Sequence, residues 1–173
     1  MRIVTVVGLL AAGAPGAGQA QTGPDSATVA RYQALLIGLR DTVGVVSARA
    51  NEFRRDLRTV GETTVLSRAA RLDAACRATR SALADARPTL AAARLTSQQA
   101  GARDSLIAAM ATLTASLERD CERGLGPAGP GARADTLRAW GPYRTAALSQ
   151  WVSGYHSAAA RFARRIGADL IRR

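Results

Sequence analysis

The chain has 173 residues, 47% of them hydrophobic, and a formal net charge of +11 in which all 24 basic residues are arginine. That length makes one domain with one core, burying roughly two thirds of the unfolded chain's surface. The excess of base attracts anions such as acidic polysaccharide or anionic lipid, and nothing beyond the first twenty residues approaches the roughly 18 uninterrupted apolar residues of a membrane span.

Arg2, the apolar run from Ile3 to Ala12 and the small residues Gly18 and Ala20 have the layout of a secretory signal peptide. Residues 1–20 are therefore expected to be removed, leaving Gln21 as the new N-terminus and a charge of +10 once Arg2 is lost. No cysteine near the cut invites a lipid anchor. Residues 21–173 then form one helical domain in the periplasm or beyond, where nucleic acid is the partner least expected among the anions. A GC-rich genome alone produces arginine and alanine without lysine, so the excess of charge, not the choice of arginine, points to a partner.

From Val29 to Val60 the apolar residues fall at Val29, Tyr32, Leu36, Leu39, Val43, Val46, Ala50, Phe53, Leu57 and Val60. This alternation of three and four predicts a helix packed in a bundle or coiled coil. Asp25 or Ser26 caps its start, Gly61 is expected to end it in the left-handed conformation, and Gly38 and Gly44 offer close helix approach. A second run follows Thr63 or Thr64 as N-cap: Val65, Ala69, Leu72, Cys76, Thr79, Leu83, Ala86 and Leu90. It continues past Pro88, which predicts a helix kinked or divided there, the pattern favouring a kink. The third run is Leu106, Met110, Leu113, Leu117 and Cys121, closed by Gly124 with Leu125 behind it in a Schellman ending.

The Gly/Pro-rich stretch 124–131 reads as an internal linker. Beyond it a short helix from about Asp135 to Trp140 is expected, broken at Gly141. A fourth long helix then starts with Pro142 at its first position and runs nearly to Arg173. Leu148, Trp151, Tyr155, Phe162 and Ile166 share one arc of it and predict a core stripe. The fold class is all-α, an up-down-up-down four-helix bundle.

Cys76 and Cys121 are the only cysteines, and two exported thiols usually pair. In an antiparallel hairpin, facing residues are equidistant in number from the turn, so pairing the two puts the turn between Gln98 and Gln99. The bond closes a loop of 45 residues.

Catalytic and cofactor chemistry finds little support. Covalent haem needs Cys-x-x-Cys-His and a di-iron bundle needs Glu-x-x-His pairs, but the one histidine, His156, follows Ser153 at that spacing. Non-covalent haem on Met110 and His156 is the alternative class, an electron-transfer or sensing bundle, although His156 lies off the aromatic stripe. Glu118, Asp120 and Glu122 read as solvated helix surface, as do the four-apart pairs Asp73 with Arg77 and Asp169 with Arg173. Trp140, Tyr143, Trp151, Tyr155 and Phe162 hold five of the seven aromatics and read as core, with a ligand pocket between helices as the other option. Arg161, Arg164, Arg165, Arg172 and Arg173 face a single acid, Asp169, which makes this surface the candidate for an anionic partner.

Leu95-Thr96-Ser97-Gln98-Gln99 resembles the Leu-Thr-x-x-Gln motif of the small periplasmic helical chaperones and envelope-stress proteins of the Spy and CpxP type, which are also exported, helical and basic on their binding surface. The match spans five residues and occurs once, where that family usually shows it twice. The same residues also make a capping box, threonine at the N-cap and glutamine at the third helical position, which would move the turn ahead of the position implied by the cysteines. The sequence thus points to an exported protein that binds rather than catalyses, an envelope interaction or chaperone-like protein for anionic or unfolded partners, with no cofactor assigned.

Overall fold

The computed structural model describes residues 24–123 and 133–171. The expected signal peptide, the linker 124–131, the Schellman ending at Gly124, and Arg172 and Arg173 lie outside those residues. Four helices pack into a bundle: α1 Ser26–Asp56, α2 Glu62–Ala91, α3 Ser97–Ser116 and α4 Ala134–Ile166, with α3 continuing into a π-helical turn, Leu117–Glu122. Neighbours run antiparallel. Arg68 bridges α2 to Glu52 and Asp56 of α1, Tyr32 meets Phe162 edge-on, and Arg144 of α4 reaches Asp120.

The core is built from the seams that the spacing marks. Tyr32, Leu36, Leu39, Val43, Val46, Ala50, Phe53 and Leu57 are buried on α1, and all eight expected seam residues of α2 are buried with them. Leu106, Met110, Leu113, Leu117 and Cys121 complete the third side. Asp25 caps α1 by accepting the Thr28 N–H at 2.7 Å.

Several boundaries differ from expectation. Gly61 has φ −67° and is the N-cap of α2, so it does not end α1 in the left-handed conformation, and Thr63 and Thr64 fall inside α2. Helix α2 runs undivided through Pro88 to Ala91, so close to its end that the proline removes only one late hydrogen bond. Gly38 and Gly44 face open space, where a side chain would meet nothing within 4 Å.

The largest correction concerns α4, which is one helix from Ala134 through Gly141 and Pro142, with no separate short helix before it. Tertiary contacts hold it together. A Cβ on Gly141 would stand 2.8 Å from Phe53 Cε1, so the glycine serves close packing on α1 rather than a break. Just before it, the Arg138 guanidinium donates to the carbonyls of Leu57 and Val60, both at 3.1 Å, filling acceptors that the end of α1 leaves open. The helix stops at Ile166, not near Arg173, because Gly167 takes φ 76°. Ala168 N–H then donates to Ala163 and Gly167 N–H to Arg164, the paired bonds of a Schellman ending.

Cys76 and Cys121 are disulfide-bonded, with Cα atoms 6.4 Å apart. The turn built on them is nevertheless displaced. Helix α2 ends at Ala91 and α3 begins after a Thr96 capping box, in which Gln99 N–H donates to the Thr96 hydroxyl and Gln99 Oε1 accepts from Thr96 N–H. At 1.5 Å per residue, Cys76 lies about 22 Å below the end of α2 while Cys121 lies about 36 Å below the start of α3. Five non-helical residues, Ala92 to Thr96, make up the difference, since an open segment of that length reaches roughly 17 Å. The first turns of α3 therefore overhang the end of α2, and Arg103 donates back to the Ala93 carbonyl at 3.2 Å.

Reduction, or Cys76→Ser with Cys121→Ser, is expected to lower stability by about 3 to 4 kcal/mol on the chain-entropy model while the far-ultraviolet dichroism stays helical; thiol labelling of the oxidised protein should find no free cysteine. A contrast between two glycines checks the packing of α4. Gly141→Ala should lower the unfolding midpoint, because overfilling a packed contact costs about 1 to 3 kcal/mol, whereas Gly38→Ala should raise it, by about 0.5 to 1 kcal/mol of backbone entropy.

Candidate functional site

Arg161, Arg164 and Arg165 are exposed on the last turns of α4, spaced so that they share one side of the helix. Cations are favoured there because the carbonyl end of a helix carries partial negative charge. The overhang of α3 stands opposite. Gln98, Gly101, Ala102 and Ser105 face the three arginines across an open cleft of about 530 Å³, and no carboxylate among the described residues lines it. Arg165 donates to Gln98 Oε1 at 3.4 Å, and Gln99 Nε2 donates to the Arg165 carbonyl at 3.1 Å, which ties the start of α3 to the end of α4. Arg161 and Arg164 have neither a hydrogen bond nor an ion pair among the described residues. Arg172 and Arg173, expected to extend this surface, lie outside them, and Asp169 accepts the Ile171 N–H instead of lining the cleft.

Most other arginines are engaged. Arg49 and Arg68 share Glu52, Arg80 stands 2.9 Å from Glu122, and Arg123 pairs with Glu118. Two carboxylates expected on solvated surface are in fact buried. Asp73 is 4% exposed and holds Arg77 at 2.5 Å. Asp120 is also 4% exposed and accepts from Ser116 at 2.9 Å, Arg119 at 2.5 Å and Arg144 at 3.0 Å. Burial raises the Asp120 pKa, but the hydrogen bonds from Arg119, Ser116 and Arg144 outweigh it and hold the carboxyl below its ordinary value. This site is a structural anchor that joins the π-helical turn to α4.

The aromatic residues of α4 divide. Tyr155 and Phe162 are fully buried, and Trp151 is half-buried with Val152 in the core beside it. Trp140 and Tyr143 are exposed, at 57% and 70%, against the expectation of core. Burial pushes the Tyr155 phenol pKa upward, and its hydroxyl has no hydrogen-bond partner in the structure.

A second, largely apolar groove of about 800 Å³ lies between α1 and α4, and Arg40, Asp41, Gly44, Ala48, His156 and Ala159 are among the residues that line it. His156 is half-buried, and burial together with the nearby Arg40 charge depresses its pKa. Met110 sits in the core of α3 at 2% exposure and does not line that groove. The pair that non-covalent haem would need is thus not gathered on one cavity. Among the described residues, no group of three or more His, Cys, Asp or Glu could hold a metal ion, and no helix is long and apolar enough to cross a membrane.

Comparison with family models, curated proteins and solved structures gave no match to this chain.

The Asp120 anchor has a pH signature. Its pKa is lower folded than unfolded, so its contribution is complete above the ordinary value of 3.8 and is lost as pH falls through the lowered value. Asp120→Asn should flatten that acid limb of the stability profile, and Asp120→Ala should cost about 3 kcal/mol at neutral pH by stranding Arg144, both read by denaturant titration.

Proposed function

We propose that this chain is an exported, non-enzymatic interaction protein of the cell envelope that binds an anionic component, or an unfolded protein bearing acidic segments, through the basic end of its bundle. The observation that carries this reading is the α3–α4 cleft, where Arg161, Arg164 and Arg165 gather with Gln98 and Ser105 and no carboxylate among the described residues lines the cleft. Three guanidiniums present many N–H donors in forks that match oxyanions. Desolvating them to meet an anion breaks no ion pair among the described residues. The Gln98 amide opposite supplies further N–H donors, its Oε1 accepting from Arg165. Export follows from the secretory layout of residues 1–20 and agrees with a disulfide, which persists in an oxidising compartment.

Inorganic pyrophosphate, the smallest probe with two phosphate groups, should bind the purified chain and should lose at least tenfold in affinity in the Arg161→Gln, Arg164→Gln, Arg165→Gln variant, as roughly 1 kcal/mol per charge-assisted contact implies. Retention on an anionic matrix should fall steeply with salt, since the Debye length shrinks from about 10 Å at 0.1 M to about 3 Å at 1 M. Pyrophosphate binding that ignores the triple substitution, or retention unchanged by salt, would refute this function.

A further inference from the structure

The α3–α4 cleft is matched by another on the opposite flank of the same end of the bundle. Because the helices alternate in direction, the start of α1, the end of α2, the start of α3 and the end of α4 lie together. Between the first two is an open cleft of about 690 Å³, whose lining includes Arg31, Tyr32, Thr89 and Arg94. Arg31 and Arg94 are exposed and have neither an ion pair nor a hydrogen bond among the described residues. The one carboxylate among the described residues that line this cleft, Asp25, is committed to capping α1.

The core separates the two clefts. Tyr32, which lines the α1–α2 cleft, packs edge-on against Phe162, the residue after Arg161, with ring centroids 6.2 Å apart. Both rings are buried, so a ligand seated in one cleft cannot reach the other through the protein. A partner that meets all five arginines must extend across the end of the bundle. Neighbouring helix axes are about 8 to 10 Å apart, so such a partner is broad as well as anionic. A flat sheet of phosphates has that shape, whereas a single polyanionic strand can follow one cleft alone.

We infer that the bundle docks end-on against an anionic phospholipid surface, with Arg31 and Arg94 on one flank and Arg161, Arg164 and Arg165 on the other meeting headgroup phosphates. This rests on the anion-binding reading of the α3–α4 cleft and adds both the partner and the orientation. Attachment is peripheral, as no described helix can cross the bilayer. The protein's long axis stands away from the membrane and leaves the sides of the bundle free.

Co-sedimentation of the full chain with phosphatidylcholine vesicles, with and without phosphatidylglycerol, tests this at 0.1 M salt, where the Debye length is about 10 Å. Three variants are compared: Arg31→Gln with Arg94→Gln, the triple substitution in the α3–α4 cleft, and Arg58→Gln with Arg71→Gln. The last pair removes the same charge as the first from exposed arginines far from the docking end. Binding is expected only with phosphatidylglycerol. At about fivefold per surface-apposed arginine, it should weaken about 25-fold in the first variant and about 100-fold in the second, with little change in the third, whose charges lie beyond a Debye length from the surface. Pyrophosphate should bind the first variant as it binds the unsubstituted chain, and the second at least tenfold more weakly. Vesicle binding unchanged by Arg31→Gln with Arg94→Gln, or weakened equally by Arg58→Gln with Arg71→Gln, overturns end-on docking, and the anion-binding function stands if the triple variant alone loses pyrophosphate. Two-cleft dependence on heparin with no binding to phosphatidylglycerol vesicles overturns the lipid assignment.

Discussion

The height at which α3 meets α2 governs how the remaining parts of the bundle fit together. A connection that closed directly over the end of α2 would set Cys76 opposite the level of Thr112. The Ala92 to Thr96 segment instead rises before α3 begins, and the Thr96 capping box fixes where the helix starts. This offset brings Cys121 to Cys76. It also carries Gln98 and Gln99 above α2, where they bond to the last turn of α4. One register thus sets both the covalent link between the middle helices and the cleft at the end of the bundle.

The π-helical turn Leu117–Glu122 sits where that register is enforced. Two adjacent residues are held by different neighbours, Asp120 by Arg144 of α4 and Cys121 by Cys76 of α2. The widened turn closes with Arg123 N–H donating to the Glu118 carbonyl at 2.9 Å, five residues back. π-Bulges of this kind interrupt α-helices in few places, often where function or packing demands them. Here the packing demand is visible on both sides.

Most of the core was legible because each seam obeys a three-four spacing and its residues are apolar. The failures have a common source in contacts between residues distant in sequence. Gly141 and Pro142 carry strong local signals for a break, yet Phe53 and Arg138 supply the packing and hydrogen bonds that outweigh them. Asp120 and Asp73 look like surface by polarity alone. The buried state of Asp120 depends on Arg144 from another helix, which no local pattern announces. Gly61 marks a boundary but opens α2 and does not close α1, because glycine suits either side of a helix junction. The C-terminal arginines stood out through their lack of acidic neighbours in sequence. Their partners on α3, and the matching arginines on α1 and in the α2–α3 connection, became visible only once alternating helix directions put the four ends side by side.

The α3–α4 cleft draws its charge entirely from guanidinium groups, whose protons stay bound at any pH a cell meets. Its attraction for an anion is therefore constant, without the gradual loss of charge that an imidazole or a desolvated amine would bring. Acidification or mild alkalinity cannot release a bound partner by discharging the protein. On the proposed function, release would come from the solution or the partner: rising ionic strength, a competing polyanion, or protonation or enzymatic removal of the negative group itself. Any dependence of binding on acidity would therefore be set by the partner's acid groups and not by the cleft.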